Sequence, residues 1–349
     1  MSSGAAFDGD ATPYAADLDI IAFCRTRGLP VRTHPFFRDM DKRWPAVLCE
    51  LKDATVLGQY FIPICEGQLL ADCLCYDGAR ARRKLSLRDD TGPRRVIRTE
   101  QAFLLGGDRT WGHFIVFNVM RTIHLQLFDH LRDVPVVTNA GLQPSLREIL
   151  SIFGCPSGRL IELEENDALA CEKLYVPTIA GGSTMDGKEL FIPDKLARLY
   201  RAMILEAHGG PHTTTPTEAV YLLRRNTKTK LIVNDANVTA FFAKRGYLVV
   251  DPAQMSLAEQ VDLAQRAKYM VSAMGSQVHI MDFSRPGTKL LEFISEEHLY
   301  QRSFGPGPKR FAALGLDNVH MICDADADNN LTINLDQLST VLVDLGYPV

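Results

Sequence analysis

Two kinds of chemistry can be read from the residue types and spacings of this chain: holding a phosphate and moving a proton. The stretch KYMVSAMGSQVHIMDFSRPGTKLLEF, residues 268–293, reads as a strand, a tight Gly275-Ser276 turn, a short helix, and a Pro-Gly turn into another strand. A helix that starts at the carboxyl end of a parallel strand exposes backbone N–H groups and partial positive charge, and phosphate binds there readily. The bland alternative is that Gly275 only makes the turn and Ser276 caps the helix. In YLLRRN, Arg224 and Arg225 fall at the end of a strand whose carboxyl edge is shared with that turn. A guanidinium there can neutralise a diphosphate through forked hydrogen bonds; because adjacent strand residues face opposite ways, at most one of the pair reaches the edge directly, and the bland alternative is a surface arginine with no partner. For proton transfer the candidate is His113, which opens the WGHF helix directly after an LLGG turn. Its alternative is a core histidine on an apolar helix face, and His124, deeper in the same helix, reads as structural.

Other motifs carry less. Ser256 and Glu259 in SLAEQ form an N-terminal capping box, which gives Glu259 a structural task beside any ligand role. DADADNNLTINLD places Asp324, Asp326 and Asp328 at alternate positions like a calcium loop. An EF-hand, however, wants Gly and Glu where Asn329 and Leu335 stand, so calcium binding is not expected. No dinucleotide, Walker, HExxH or Ser/His/Asp pattern is present.

The elements that must position these residues alternate. AFLLGG reads as a strand, WGHFIVFNVMRTIHLQLFDHL as a helix, VPVVTN as a strand, QPSLREILSIFG as a helix and RLIELE as a strand. In the first helix, His113, Phe117, Met120, His124, Phe128 and Leu131 recur at steps of three and four and so share one face. After the helix FIPDKLARLYRAMILEAHGG comes a second series: EAVYLLRR, NDANVTAFFAKRG, YLVVDP, SLAEQVDLAQRA, the 268–293 stretch, NVHMICD and LDQLSTVLVDLG. Such alternation predicts parallel sheets with crossover helices. Between about Ile20 and Arg98, TVLGQYFIPIC and RKLSLR read as short β-like runs.

A chain of 349 residues fits two domains. The expected organisation is a loose tail over 1–20, a first domain over 21–175 and a second Rossmann-like domain over 176–349, with the last helix free to pack back on the first domain. The boundary falls near LYVPTIAGGSTMDGKE, and two such domains would leave a ligand cleft between them. A net charge of −4 with 23% charged residues gives no sign of non-specific nucleic-acid binding, although basic residues cluster in ARARRKLSLRDDTGPRR and LLRRNTKTK. The eight cysteines have no zinc-type spacing; Cys73 and Cys75 make a lone CxC, and reduced buried thiols in a cytosolic protein are the expectation. The start of the sequence does not read as a signal peptide, and no apolar run is long enough to span a membrane.

The order of the second series resembles the core of glycosyltransferase family 61, which includes bacterial capsular and exopolysaccharide enzymes and eukaryotic enzymes that add xylose or N-acetylglucosamine. The matching features are the Arg224-Arg225 strand end, Asn234-Asp235, a Gly-aromatic strand, Ser-x-x-Glu-Gln, Gly275-Ser276-x-x-His279, and Pro-Gly-Thr before a strand containing Glu292. LLGG…WGHF resembles the family's Gly-Gly turn and aromatic-x-His helix start, so the resemblance covers about 103–293. The chain departs from the family pattern at Thr110, Phe117, Met274 and Ile280.

The resemblance implies an α/β, GT-B-like architecture: two Rossmann-like domains with parallel sheets facing across a cleft, acceptor mainly on the first and donor mainly on the second. It implies an inverting transfer from a nucleotide-sugar, UDP-sugar favoured, to a glycan or other hydroxyl acceptor, without an obligatory metal or other cofactor. His113 would be the base. Arg224, Arg225, Asn234, Gly275, Ser276, His279, Glu259 and Glu292 would serve the donor, with Glu292 near the ribose or the base. Polysaccharide biosynthesis, a polyprenyl-linked acceptor and a cytoplasmic location, with peripheral contact to the inner face of the cell membrane left open, follow by analogy. The alternative is a non-catalytic glycosyltransferase-like subunit that binds nucleotide-sugar or a partner in a polysaccharide assembly complex. A two-domain periplasmic-type binding protein would need an export signal.

Overall fold

The computed structural model describes residues 19–38, 46–59, 61–70, 95–108, 110–178, 194–225, 230–299 and 306–349. The RKLSLR run, the Cys73/Cys75 pair, most of the basic stretch before Arg95 and the expected linker from residue 179 on lie outside these residues. The chain divides into two compact units, Met1–Pro193 and Asp194–Val349.

Unit 1 begins with a helix, α1 (Asp19–Thr26), whose Ile20 and Ile21 are buried, so the end of the expected tail is already core. Its strands are β1 (Val31–Thr33), β2 (Val47–Leu57), β3 (Ile62–Cys65), β4 (Gln68–Leu69), β5 (Arg95–Gly106), β6 (Val136–Asn139), β7 (Leu160–Leu163) and β8 (Asp167–Pro177). They form one sheet in the order β4-β3-β2-β8-β5-β6-β7, with β1 paired to β2. β8, β5, β6 and β7 run parallel, whereas β1, β2, β3 and β4 are joined antiparallel, as is β2 to β8. The parallel sheet expected for the alternating series is present in β5, β6 and β7, and the strands before it add an antiparallel half. The cause is local: β3 and β4 close through Glu66-Gly67, both at positive φ, 51° and 73°, the geometry of a two-residue hairpin. A hairpin joins antiparallel neighbours only.

The helix expected over 111–131 is also different. It passes from α (Trp111–His113) to a π turn (Phe114–Asn118), a 3₁₀ turn (Val119–Thr122) and α again (Ile123–Leu127), and ends at Phe128 in extended backbone. Every residue from Phe114 to Leu125 is buried, so no single face is selected and the step-of-three-and-four pattern does not define an exposed side. A bulge at Leu104/Gly106 interrupts the β5–β6 ladder, and the Leu105 carbonyl accepts from Asn118 Nδ2 (3.1 Å) and Arg121 Nη1 (2.9 Å). These bonds tie the helical run to the carboxyl end of β5. Gly106, at φ 84°, leaves the room: a Cβ there would lie 2.8 Å from Arg121 Nη1. α2 (Pro144–Ile152) follows β6 with Pro at its first turn, and Trp111 Nε1 donates to Ser145 Oγ at 3.1 Å.

Unit 2 carries α3 (Asp194–Ala207), β9 (Glu218–Leu222), α4 (Asp235–Lys244), β10 (Leu248–Val250), α5 (Leu257–Arg266), β11 (Ala267–Ala273), β12 (Lys289–Ile294), α6 (Pro306–Ala313), β13 (Asp317–Ile322), the small pair β14 (Asp324–Ala325) and β15 (Leu331–Thr332), and α7 (Leu335–Asp344). The main sheet has the order β10-β9-β11-β12-β13 and is parallel throughout. That is the 2-1-3-4-5 order of a doubly wound sheet, whose switch point lies between its first and third strands, here β9 and β11. Leu338 and Leu342 of α7 join Tyr221, Phe242, Val271, Leu291 and Phe293 in a single buried cluster. Leu338 and Leu342 of the last helix are thus part of the unit 2 core. α6 was not expected, because PGPK reads as a breaker, yet Pro is tolerated in a first helical turn.

The six described cysteines are buried and none is in a disulfide, and burial pushes the Cys155, Cys171 and Cys323 thiols up to about 12. Among the described residues, no helix is long and apolar enough to cross a membrane.

His124 gives unit 1 a pH dependence. It is fully buried, stacked on Phe128, and its Nδ1 faces the Arg121 carbonyl at 3.2 Å. A carbonyl only accepts, so Nδ1 carries the proton, and Nε2, buried without a partner, would bear the second one unsatisfied. Burial first, with the Arg121 charge opposing protonation as well, lowers the pKa from 6.5 to about 4. The unfolded chain therefore binds the proton first: this stability is complete above about pH 6.5 and is lost as pH falls to about 4. The loss is on the order of 3 kcal/mol. Urea midpoints measured from pH 7 to pH 4 should fall more steeply for the wild type than for His124→Phe.

Candidate functional site

In unit 2 the strand ends that meet at the switch point are those of β9 and β11, paired in register from Ala267 and Glu218 to Ser272 and Leu222. Arg224, two residues beyond β9, turns onto Gly275, two residues beyond β11. A Cβ on Gly275 would lie 1.8 Å from Arg224 Nη1, so the guanidinium occupies the space that any side chain would need. Arg224 Nη1 donates to Gln277 Oε1 (3.0 Å) and Nε to the Lys230 carbonyl (3.1 Å). Gln277 in turn donates from Nε2 to Ser272 Oγ (3.0 Å) and the Ala273 carbonyl (2.6 Å). Gln277 is thus a brace between the arginine and the last residues of β11. Sequence reasoning missed it; its signal was a long amide two residues after the turn glycine.

Arg225 faces elsewhere. It is half exposed, and its Nη2 lies 3.2 Å from Asp235 Oδ2 at the start of α4. Of the two arginines, then, Arg224 reaches the turn and Arg225 is neutralised beside it.

The helix after the turn, Ser276–Phe283, is 3₁₀ and not α. Gly275, Ser276 and Gln277 are partly exposed, and the first intrahelical bond is Val278 N–H to the Gly275 carbonyl. The N–H groups of Ser276 and Gln277 thus precede the ladder, as at any helix start. With three residues per turn, Ser276, His279 and Asp282 line one stripe. His279 is 8% exposed and its Nδ1 lies 3.6 Å from Asp282 Oδ2. It faces inward and is not presented at the rim.

Three further residues expected on the donor side have partners within the protein. Asn234 donates from Nδ2 to the Ile333 carbonyl (2.8 Å) and accepts the Ile333 N–H on Oδ1 (3.0 Å). Both ends of its amide thereby join α4 to the segment before α7, a structural task. Glu259 closes the capping box of α5, accepting from Ser256 N (2.7 Å) and Oγ (2.8 Å), which holds its carboxyl below the usual range. Glu292 is wholly buried in β12, in register with Ser272 and His320, and lies 3.4 Å from His320 Nε2. It has no exposed surface at the strand end.

In unit 1, His113 stands just beyond the carboxyl end of β5, its side chain 37% exposed. Its Nδ1 lies 3.2 Å from Asp108 Oδ2, while Asp108 Oδ1 accepts the Thr110 N–H at 2.6 Å. A carboxylate accepts only, so Nδ1 is the donor and Nε2 keeps the lone pair. An imidazole held by a carboxylate in this way can accept a proton on Nε2. Asp108 was also missed, although an Asp after two glycines and just before a helix is a common turn former.

Asp326 accepts the N–H groups of Asp328 and Asn330, both at 2.9 Å, in a tight turn between β14 and β15. Among the described residues, no group of three or more His, Cys, Asp or Glu is arranged to hold a metal ion. Phe117, Met274 and Ile280, at positions where the family pattern is often polar, are all buried.

The sequence model of the family described as Glycosyltransferase 61 matches residues 111–291, just over half of the chain, and the protein belongs to that family. Comparison with curated proteins finds no match to the chain. The matched segment includes His113, Arg224 and the Gly275-Ser276 turn. Asp108 lies just before it, and α6 and α7 lie beyond it.

The close approach of Arg224 to Gly275 makes a direct prediction. Gly275→Ala should displace the guanidinium and break its bond to Gln277, lowering stability by about 1–3 kcal/mol in urea unfolding. An unchanged midpoint would contradict this packing.

Proposed function

We propose that the protein is an inverting, metal-independent glycosyltransferase that moves a sugar from a nucleotide-sugar, UDP-sugar favoured, to a glycan hydroxyl in polysaccharide biosynthesis. The observation that carries this reading is Arg224 seated on the Gly275-Ser276 turn at the switch point of a parallel sheet, within a segment that belongs to the family. In a doubly wound sheet this crevice is where ligands bind, and a guanidinium beside helix N–H groups suits a diphosphate.

The chemistry follows from the charges. As the donor's bond to the sugar carbon breaks, negative charge grows on the diphosphate and the sugar gains oxocarbenium character. Arg224 and the N–H groups of Ser276 and Gln277 stabilise that charge with donors fixed before the reaction. His113 Nε2 takes the proton of the attacking hydroxyl, and Asp108 keeps the imidazole in the correct tautomer and supports the charge that forms on it. By analogy with the family, the acceptor is polyprenyl-linked and the enzyme works in the cytoplasm at the inner face of the membrane.

Calorimetry with UDP should show binding by the wild type and at least tenfold weaker binding by Arg224→Ala, about 1.4 kcal/mol. Arg225→Ala, whose partner is Asp235, should change affinity less. Absence of binding to UDP and to other nucleotides by the wild type would remove the donor reading.

His113→Ala should lower turnover by about 10²–10⁴. Asp108→Asn should lower it too, yet add little in the His113→Ala background, because the two residues act as a unit. Near-normal turnover of His113→Ala would exclude it as the base.

The buried apolar side chains of Phe117, Met274 and Ile280 favour a second reading, a non-catalytic subunit that keeps the donor crevice. Wild-type protein that binds nucleotide but transfers to no acceptor and hydrolyses no nucleotide-sugar would select it.

A further inference from the structure

The least economical polar group in unit 2 is a buried ion pair remote in sequence from the donor turn. Arg310 of α6 and Asp282, near the end of the 3₁₀ helix, are both 0% exposed. Arg310 Nε donates to Asp282 Oδ1 at 2.8 Å, while Nη1 and Nη2 are buried and make no hydrogen bond. The guanidinium also lies over the ring of Tyr200 in α3, 4.7 Å from its centroid. Burying a pair with so many donors unmet is poor design for stability alone, since apolar side chains of similar volume usually hold a fold as well or better. Such pairs are best attested where they fix one arrangement among several.

The stripe of the 3₁₀ helix says what is being fixed. Asp282 lies two turns from Ser276, with His279 between them and its Nδ1 3.6 Å from Asp282 Oδ2. The same helix is held at its far end by Arg201 of α3, whose Nη1 donates to the Ser284 carbonyl (3.1 Å) and to the Leu314 carbonyl just after α6 (3.0 Å). Gln265 of α5 donates to the Phe283 carbonyl. A 3₁₀ helix has weaker hydrogen bonds than an α-helix, so its orientation depends on such outside contacts.

We propose that Arg310 is a positioning residue for the donor site: through Asp282 it anchors the helix Ser276–Phe283 and so sets where the Ser276 and Gln277 N–H groups point. The placement of the turn stands on the geometry above; the consequence for donor binding rests on the nucleotide-sugar reading. Arg310 itself touches no part of the proposed donor contacts.

The test is the double variant Asp282→Leu/Arg310→Met, which removes both charges together and leaves neither buried alone. We expect its unfolding midpoint to stay close to that of the wild type. Amide exchange at Ser276–Val278 should speed up at least tenfold, the dissociation constant for UDP should rise at least tenfold, and KM for the donor should rise more than kcat falls. A stable double variant with wild-type exchange and wild-type UDP affinity overturns the proposal, because the pair would then be structural only. Faster exchange together with a wild type that binds no nucleotide supports the positioning of the turn and removes the donor reading instead. Should the double variant fail to fold, Asp282→Asn decides. It removes the carboxylate charge that holds the guanidinium, so with folding cooperative, faster exchange at the turn is expected; unchanged exchange overturns the proposal.

Discussion

The contact between Arg224 and Gly275 is the constraint on which the switch-point edge of unit 2 depends. It requires three things at once. β9 and β11 must be neighbours, which the 2-1-3-4-5 order of the parallel sheet secures. Residue 275 must lack a side chain, because any Cβ would fall 1.8 Å from the guanidinium. Finally, the arginine must be kept from swinging outward, a task shared by Gln277 and the Lys230 carbonyl. The adjacent Arg225 shows the contrast: half exposed, it pairs with Asp235 at the start of α4 and not with the turn.

Both units use the same device at their strand ends, a side chain that borrows a backbone group from a neighbouring element. In unit 1 the bulge at Leu104/Gly106 turns the Leu105 carbonyl toward Asn118 and Arg121, fixing the helical run that carries His113. In unit 2 Gln277 reaches back to the Ala273 carbonyl. Buried polar groups left unmet cost more than a made hydrogen bond returns, so these links hold firmly once formed. They make the strand end, and not the loop beyond it, the rigid part of each candidate site.

Unit 2 was legible because its signals agree. Period-2 and period-3.6 segments alternate, Ser256 and Glu259 announce α5, and Gly275-Ser276 marks a strand-to-helix turn. Unit 1 was legible only from β5 to β7. Its antiparallel half turns on Glu66, a non-glycine residue at φ 51°, which no propensity announces. The helical run after His113 is apolar on all sides, and periodicity has nothing to report when no side is exposed. The site residues divide in the same way. Arg224 and Gly275 carry local signals, whereas the partners of Asn234 and Glu292 come from distant segments that sequence order does not bring together. Asp282 and Arg310 are 28 residues apart, and only the fold brings them together.

The 3₁₀ geometry of the helix Ser276–Phe283 is what converts those distant residues into a single device. In an α-helix, residues at i, i+3 and i+6 drift around the axis, and Asp282 would leave the side on which Ser276 lies. At three residues per turn the stripe is straight, so a force applied at Asp282 acts along the line of His279 and Ser276. Met274 and Ile280 flank that stripe and are buried. The departures from the family pattern at these two positions therefore fall on buried residues, one just before the turn and one inside the helix, and the polar stripe between turn and ion pair contains neither.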